Sequence, residues 1–94
     1  MNVITTFQPT NNMGAETEEE NSRIAQVYKT EFEKMFAKFY EEDGWEATVY
    51  LMPGYDGRQP EPMVTSDIPY DDQLLILDQL EQIEEAAYAI AAAI

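Results

Sequence analysis

Two long segments of the chain repeat apolar residues at separations of three and four positions, which is the spacing of a helix with one buried face. In residues 18–42 these positions are Ile24, Val27, Tyr28, Phe32, Met35, Phe36, Phe39 and Tyr40. In residues 70–92 and on to the C-terminus they are Ile76, Leu80, Ile83, Ala87, Ile90 and Ile94. The pattern therefore predicts two long helices that hold more than half of the chain.

Short sequence signals mark the ends of both predicted helices. Thr17 followed by Glu20 fits a capping box, and the acidic residues at 18–20 suit the positive end of the helix dipole. Gly44 follows the first segment and is expected to end its helix. Pro69 precedes the second segment in a position that favours a helix start.

Shorter segments have the character of strands. Residues 45–52, WEATVYLM, alternate with the two-residue period of a strand that is buried on one face. Residues 63–66 predict a second, shorter strand, which the prolines at 60 and 62 confine to a sheet edge. Residues 1–16 contain the β-favouring run VITTF before Pro9, so we expect an edge strand or a loose arm there.

These elements predict an α+β fold in which residues 1–94 form one domain. A chain of 94 residues with 45% hydrophobic residues can bury one core of its own. The economical arrangement packs two long helices on one face of a small, two- or three-stranded antiparallel sheet. If the strand segments are irregular, the alternative is a helical hairpin with loops.

The chain contains no histidine and no cysteine, which removes much of the chemistry that side chains support. A disulfide framework, a zinc finger, a cysteine protease and a Ser-His-Asp triad are all excluded. Neither Asp43-Gly44 nor Asp56-Gly57 continues as a calcium-binding loop does. A carboxylate pair for glycoside hydrolysis needs the cleft of a larger scaffold. We therefore expect a protein that is not an enzyme and that holds no metal and no cofactor.

The ends of the chain bear on its location in the cell. The N-terminus lacks the basic and apolar regions of a signal peptide, and no stretch approaches the roughly 18 apolar residues of a membrane span. The uncharged C-terminal run AAYAIAAAI is too short to cross a bilayer. The absence of cysteine suits a reducing compartment. We expect a cytoplasmic protein, in the host cytoplasm if its source is viral.

Acidic residues dominate the charge and are unevenly distributed. Nineteen Asp and Glu against five Lys and Arg give a net charge of −14. Residues 23–43 carry five acidic and four basic residues, whereas residues 44–94 carry ten acidic residues and one basic residue. A charge of this sign repels phosphate backbones and anionic lipids. Direct binding to nucleic acid or to a membrane is therefore not expected.

The first predicted helix is able to neutralise its own charge. Lys38 and Glu42 are four residues apart, and Lys34 and Glu31 are three apart. Opposite charges at these spacings attract each other on a helix surface. The excess of acid therefore lies on other parts of the molecule.

The second predicted helix carries most of its acid on one side. At about 100° per residue, four acidic residues lie roughly 140–220° from the apolar line through Ile76: Asp71, Asp78, Glu81 and Glu85. Two residues depart from this separation, because Leu74 lies on the acidic side and Asp72 near the apolar line. The helix has no basic residue. Its carboxylates are therefore either solvated or matched by cations from elsewhere.

Electrostatic imitation of a nucleic acid needs a comparable density of charge. A compact chain of this length has a diameter of roughly 32 Å, so its excess charge amounts to about one per 2.3 Å. Duplex DNA carries one per about 1.7 Å. The second helix alone is too sparse, so such a surface must recruit the acidic residues at the helix ends, namely Glu18, Glu19, Glu20, Glu41, Glu42, Asp43, Asp71 and Asp72.

Aromatic residues beside acidic or turn positions are further candidates for contact with a partner: Trp45, Tyr50, Tyr55 and Tyr70. Tyr55 and Asp56 lie between Gly54 and Gly57, where a tight turn is expected. This turn is either a recognition finger or only the tip of a hairpin. For Trp45 the pattern favours a place in the core over a place in an interface.

These observations lead to the hypothesis of a non-enzymatic acidic binding protein that occupies the basic nucleic-acid site of a larger protein. Its surface carboxylates would replace phosphates in that groove, as in a DNA mimic. In size, acidity and lack of catalytic residues, the chain is similar in type to the small acidic inhibitors that bacteriophages use against restriction, CRISPR and repair enzymes. It carries no family motif.

Two other interpretations fit the same residues. An acidic assembly chaperone or adaptor would bind a partner through its amphipathic helices and use the charge only for solubility. Apolar residues on more than one side of the C-terminal helix also favour a homodimer formed through that helix. Salt dependence separates the first hypothesis from the adaptor, because only binding through the carboxylates weakens steeply with salt.

Overall fold

The computed structural model describes residues 3–9, 14–52, 62–65 and 67–93. In chain order its elements are β1 (Val3–Pro9), α1 (Glu18–Phe39), β2 (Glu46–Met52), β3 (Met63–Val64) and α2 (Tyr70–Ala92). Two long helices and a small three-stranded sheet make this an α+β fold, which confirms the predicted class. The alternative of a helical hairpin with loops is wrong. Within the described ranges, neither helix has the length and apolarity to cross a membrane.

The sheet is mixed, so the prediction of a purely antiparallel sheet is wrong. Its strand order is β2-β1-β3, with β1 parallel to β2 and antiparallel to β3. The reason is that α1 connects β1 to β2. A helix between two strands returns the chain to the end where the first strand began, so the next strand runs in the same direction.

The first strand lies in the centre of the sheet, which corrects the expectation of an edge strand or a loose arm for this segment. It pairs with β2 from Val3 opposite Glu46 to Pro9 opposite Met52, and with β3 at Ile4 and Thr5. Its only proline is its last residue, so the preceding amides remain free to bond on both sides. The prediction of a short edge strand near residue 63 is confirmed.

Both ends of α1 follow the predicted signals. The Thr17 hydroxyl oxygen accepts a hydrogen bond from the Glu20 backbone N–H at 3.2 Å. The helix ends at Phe39, three residues earlier than expected, because the chain turns over residues 40–44. Gly44, with φ of +70°, adopts the left-handed conformation that ends many helices, and its N–H donates to the Tyr40 carbonyl at 3.1 Å.

The core lies between the two helices and one face of the sheet. Its fully buried large side chains are Ile4, Phe32, Phe36, Val49, Ile68 and Ile76. Along α2 the buried positions are Ile76, Leu80, Ile83, Ala87 and Ala91, so the predicted stripe is confirmed as far as Ala87. Beyond it, Ala91 takes the buried place and Ile90 is exposed. Ile94 lies outside the described residues.

The helices run antiparallel. The start of α1 lies near the end of α2, because a Cβ added at Gly14 would come within 3.1 Å of the Tyr88 hydroxyl. Further along α1, Tyr28 lies close enough to Glu84 for the two groups to interact electrostatically. Residue numbers therefore rise along one helix as they fall along the other.

The outer edge of β2 is closed by two side chains of α1. The Lys29 ammonium donates to the Val49 carbonyl at 2.8 Å, and a Glu33 carboxylate oxygen accepts from the Val49 N–H at 3.0 Å. Lys29 and Glu33 also form an ion pair at 2.5 Å. An ion pair four residues apart on α1 thus takes the place of a neighbouring strand at this position.

Candidate protein-binding surface

Acidic side chains at the surface are almost entirely unpaired. Asp56 and Glu61 lie outside the described residues, and among the other acidic residues Glu33 alone forms an ion pair. The pairs expected for Lys38 with Glu42 and for Lys34 with Glu31 are not formed. For Glu42 the reason is that α1 ends at Phe39, which leaves this residue in the following turn rather than on the helix.

The acidic side of α2 is exposed as its sequence predicts. Asp71, Asp78, Glu81 and Glu85 all lie at the solvent, opposite the buried stripe through Ile76. These four residues define the acidic ridge. Over 14 residues at about 1.5 Å each, the ridge extends about 21 Å along the helix. Asp72 is half-buried and lies near the apolar line, away from the ridge, as its helical angle predicts.

The same side of α2 also exposes large apolar side chains. Tyr70 is 71% exposed, Leu74 is 48%, Leu75 is 61%, and Leu77 is also exposed. Because consecutive helical residues differ by about 100°, only Ile76 of the run 74–77 turns into the core. The solvent face of α2 is therefore a mixed surface, in which Leu74 lies among the ridge carboxylates and Leu75 and Leu77 flank them. Of these residues, sequence reasoning identified Tyr70 and Leu74.

The remaining candidate acids form two groups that the fold keeps apart. Glu18, Glu19 and Glu20 are exposed at the start of α1, whereas Glu41, Glu42 and Asp43 are exposed in the turn after it. A helix of 22 residues separates the groups by about 33 Å. Since the helices are antiparallel, the turn group shares one end of the molecule with Asp71 and Asp72. The candidates therefore comprise a ridge and two end groups, not one cluster.

The dimensions of the molecule lower its charge density. Its principal extents are 41 × 26 × 20 Å, so it is longer than the sphere of roughly 32 Å expected from its length. Along the long axis the net charge of −14 amounts to about one per 2.9 Å. This value is below that of duplex DNA, at one per about 1.7 Å. The molecule has the right order of charge density but is sparser than predicted.

A cleft opens beside the ridge, where β1, α1 and α2 meet. It has a volume of about 270 Å³ and is lined by Gln8, Tyr28, Glu84, Glu85 and Tyr88. Tyr28 is only 4% exposed, and its hydroxyl makes no hydrogen bond within the described part of the chain. Among the described residues, the fully buried polar side-chain atoms without a partner are Thr6 Oγ1 and Thr65 Oγ1, so the Tyr28 oxygen remains accessible from the cleft.

Electrostatics in the cleft disfavour negative charge. Burial raises the pKa of the Glu84 carboxyl, and repulsion by Glu81 and Glu85 raises it further. Burial also raises the pKa of the Tyr28 hydroxyl, with the Glu84 charge as the second cause. Both shifts mean that a positive charge placed here would be stabilised.

No family model matches the sequence, and comparison with curated proteins and with solved structures found no match either. Within the described ranges, no three acidic side chains converge closely enough to hold a metal ion.

The predicted aromatic contacts have mixed outcomes. Tyr55 and Asp56 lie outside the described residues. Trp45 is half-buried and packs on the Tyr40 ring with centroids 5.2 Å apart, in agreement with a place at the core. Tyr50 is exposed on the sheet face away from the helices, where it stacks on Phe7.

Sequence reasoning missed Glu84 and Tyr28. Glu84 lies at about 80° from the Ile76 line, between the apolar and acidic sides, so it belonged to neither set. Tyr28 falls on the apolar stripe of α1 and was assigned to the core, where its ring does lie. The available signal was the phenol oxygen itself, since a tyrosine on a buried stripe needs a partner for its hydroxyl.

Proposed function

We propose that this chain is a non-enzymatic acidic binding protein, which docks the solvent face of α2 on the basic nucleic-acid site of a larger protein. One observation supports the proposal above all. The ridge carboxylates are exposed and form no ion pair with any described residue, although four basic residues lie on the neighbouring helix.

Free energy favours a partner of opposite charge. Carboxylates that repel one another destabilise the folded chain, and cations of a partner relieve that repulsion on binding. A basic groove also attracts such a surface from a distance, which raises the association rate at low salt. The unpaired carboxylates therefore destabilise the free chain and stabilise the complex.

Exposed leucines give this surface a means of selecting its partner. Charge alone would attract any basic groove, including many wrong ones. Leu74 lies among the ridge carboxylates, and the exposed Leu75 and Leu77 flank them. These leucines would pack against apolar side chains that only some grooves present. The partner is thus a protein whose basic site also holds an apolar patch.

Competition with duplex DNA tests the proposal. Proteins retained from lysate by the immobilised chain at 50 mM salt are purified, and their DNA affinity is measured with and without the chain. We expect at least one whose DNA binding the chain inhibits competitively, with inhibition lost at 500 mM salt. Inhibition should disappear in the double variant Asp78→Lys, Glu81→Lys.

A matched control separates the ridge from net charge. The double variant Glu46→Lys, Asp67→Lys makes the same change in charge at exposed residues outside the ridge. It should retain most of the inhibition. If both double variants lose inhibition equally, the ridge has no special role; if no retained protein loses DNA binding, the proposal is wrong.

The exposed leucines also favour a second candidate function, that of an acidic assembly chaperone or adaptor. Such a protein would bind chiefly through Leu74, Leu75 and Leu77 and would keep its partner at high salt. Replacing Leu75 and Leu77 by serine should then abolish binding, while Asp78→Lys, Glu81→Lys should not. Truncation from Tyr88 onwards is a poor test, since it removes the buried Ala91 and damages the core.

A further inference from the structure

The geometry of the cleft points to a specific ligand group: we propose that Tyr28, Glu84 and Glu85 bind one guanidinium group, an arginine side chain of the protein partner. This inference rests on the proposed function and names the anchor of that interface. The cleft adjoins the ridge, since Glu85 belongs to both. An arginine that enters it would fix the position of the partner along α2.

The size of the cleft suits one side chain. Its volume of about 270 Å³ lies just below the roughly 300–1,000 Å³ of sites that hold drug-sized molecules. A nucleotide or a cofactor would therefore not be enclosed. Three different elements, β1, α1 and α2, supply the walls, and the Tyr28 ring is held in place by the core.

The lining chemistry selects a cation with several hydrogen-bond donors. Glu84 and Glu85 supply carboxylate oxygens, and the Tyr28 hydroxyl oxygen is an acceptor that makes no hydrogen bond within the described residues and is accessible from the cleft. The Tyr88 ring, which is 40% exposed, adds a surface on which a cation is stabilised. An anion such as phosphate would be repelled by both carboxylates.

Arginine fits these groups better than lysine does. Guanidinium is planar and presents five N–H donors in a fixed fork, whereas ammonium is a compact, strongly hydrated charge. The cleft is lined by acceptors from both helices, and a planar fork of donors can bond to more than one of them. The charge also relieves repulsion between the two glutamates, so binding and carboxylate ionisation favour each other.

A titration with small probes tests the site on the intact chain. N-acetyl-arginine methylamide is added while the ring signals of Tyr28 and Tyr88 are followed by NMR, with the citrulline and lysine analogues as matched probes. We expect saturable shifts with the arginine probe, at least tenfold weaker binding of the lysine probe, and no binding of the neutral citrulline probe. Equal shifts with arginine and citrulline would overturn the proposal.

Single variants locate the binding. Glu84→Gln should weaken the arginine probe at least tenfold, and Tyr28→Phe should weaken it severalfold. Glu46→Gln removes the same charge at an exposed position outside the cleft and the ridge, and should change binding less than twofold. Thermal unfolding shows that each variant is folded. If Glu84→Gln and Glu46→Gln weaken the probe equally, the site is diffuse charge and the proposal is wrong.

The same variants separate this inference from the proposed function. If Asp78→Lys, Glu81→Lys abolishes inhibition of the DNA-binding partner while Glu84→Gln leaves it intact and the arginine probe does not bind, the inference fails and the proposed function stands. If the probe binds but Glu84→Gln leaves partner binding unchanged, the cleft serves free guanidinium compounds, which overturns the assignment to a partner's arginine. If Glu84→Gln loses both probe binding and partner binding, the assignment to a partner's arginine is supported.

Discussion

At the scale of single residues, the clearest defect in this structure is a buried hydroxyl on β1. The Thr6 Oγ1 atom is inaccessible to solvent and has no hydrogen-bond partner in the part of the chain that the structure describes. Valine has nearly the same shape and lacks the oxygen. Because an unsatisfied polar atom costs about 1–3 kcal/mol, Thr6→Val should raise the free energy of unfolding by about 1 kcal/mol. Urea denaturation measures this change in the free energy of unfolding, with Thr48→Val on the opposite sheet face as control. If Thr6→Val is less stable than the wild type, the prediction is wrong.

Glu84 gives a second residue-scale prediction, which concerns pH. Its pKa is raised by burial and then by Glu81 and Glu85, so the folded chain holds this proton more tightly than the unfolded chain does. Ionised Glu84 therefore destabilises the fold, and its contribution improves as pH falls through the raised pKa. Tyr28 on α1 and Gln8 on β1 face it without supplying a positive charge.

Neutralising this residue should accordingly stabilise the protein. Glu84→Gln should unfold at higher urea concentration than the wild type at pH 7, and the two should converge as pH falls towards the ordinary glutamate pKa of about 4.3. Glu46→Gln, at an exposed strand position, serves as the control and should show a smaller difference. A gap that persists at low pH would mean that Gln acts through packing instead.

At the scale of elements, periodic patterns predicted what depends on neighbours in sequence. Both helices lie where the three- and four-residue spacings predicted them, and the strand over 46–52 lies where the two-residue period predicted it. Each pattern succeeds because it indicates which face of the element is buried. The central position of β1 depends on pairing with residues over 40 positions away. No local signal distinguishes a central strand from an edge strand when it is seven residues long and ends in proline.

The candidate site also has one part that a single helix predicts and another part that depends on how two helices pack. The acidic ridge could be predicted from one helix, since its residues are related by helical geometry alone. The cleft could not, because Tyr28 and Glu84 meet only through the antiparallel packing of two helices. Lys29 and Glu33 have the spacing of a helical ion pair, but their bonds to Val49 require the position of β2 as well.

This closure of the β2 edge leads to an element-scale prediction. Replacing Lys29 by Met and Glu33 by Leu removes the groups that bond the Val49 amide and carbonyl. The double variant should lose about 1 kcal/mol of stability and should self-associate, because it exposes a strand edge. Urea denaturation and sedimentation velocity measure the two effects.

A matched variant tests the reason for that change. Glu31→Leu, Lys34→Met alters the same residue types on the same helix, where no ion pair is formed. It should remain monomeric and lose less stability. If both double variants self-associate alike, added surface hydrophobicity is the cause and the edge is not.

At the scale of the whole molecule, the net charge of −14 makes the fold and its interface respond to salt in opposite directions. Salt screens repulsion among the exposed carboxylates, so the melting temperature of the free chain should rise by several degrees between 20 and 500 mM NaCl. The same screening weakens attraction to a basic partner. Circular dichroism measures the melting temperature.

Two double variants of equal net charge, −10, test where the repulsion lies. The melting temperature should rise less with salt in the ridge variant Asp78→Lys, Glu81→Lys than in the variant Glu46→Lys, Asp67→Lys, because the ridge carboxylates lie close together. A wild-type melting temperature that fell with salt would mean that attractive pairs dominate, which the single ion pair among the described residues argues against.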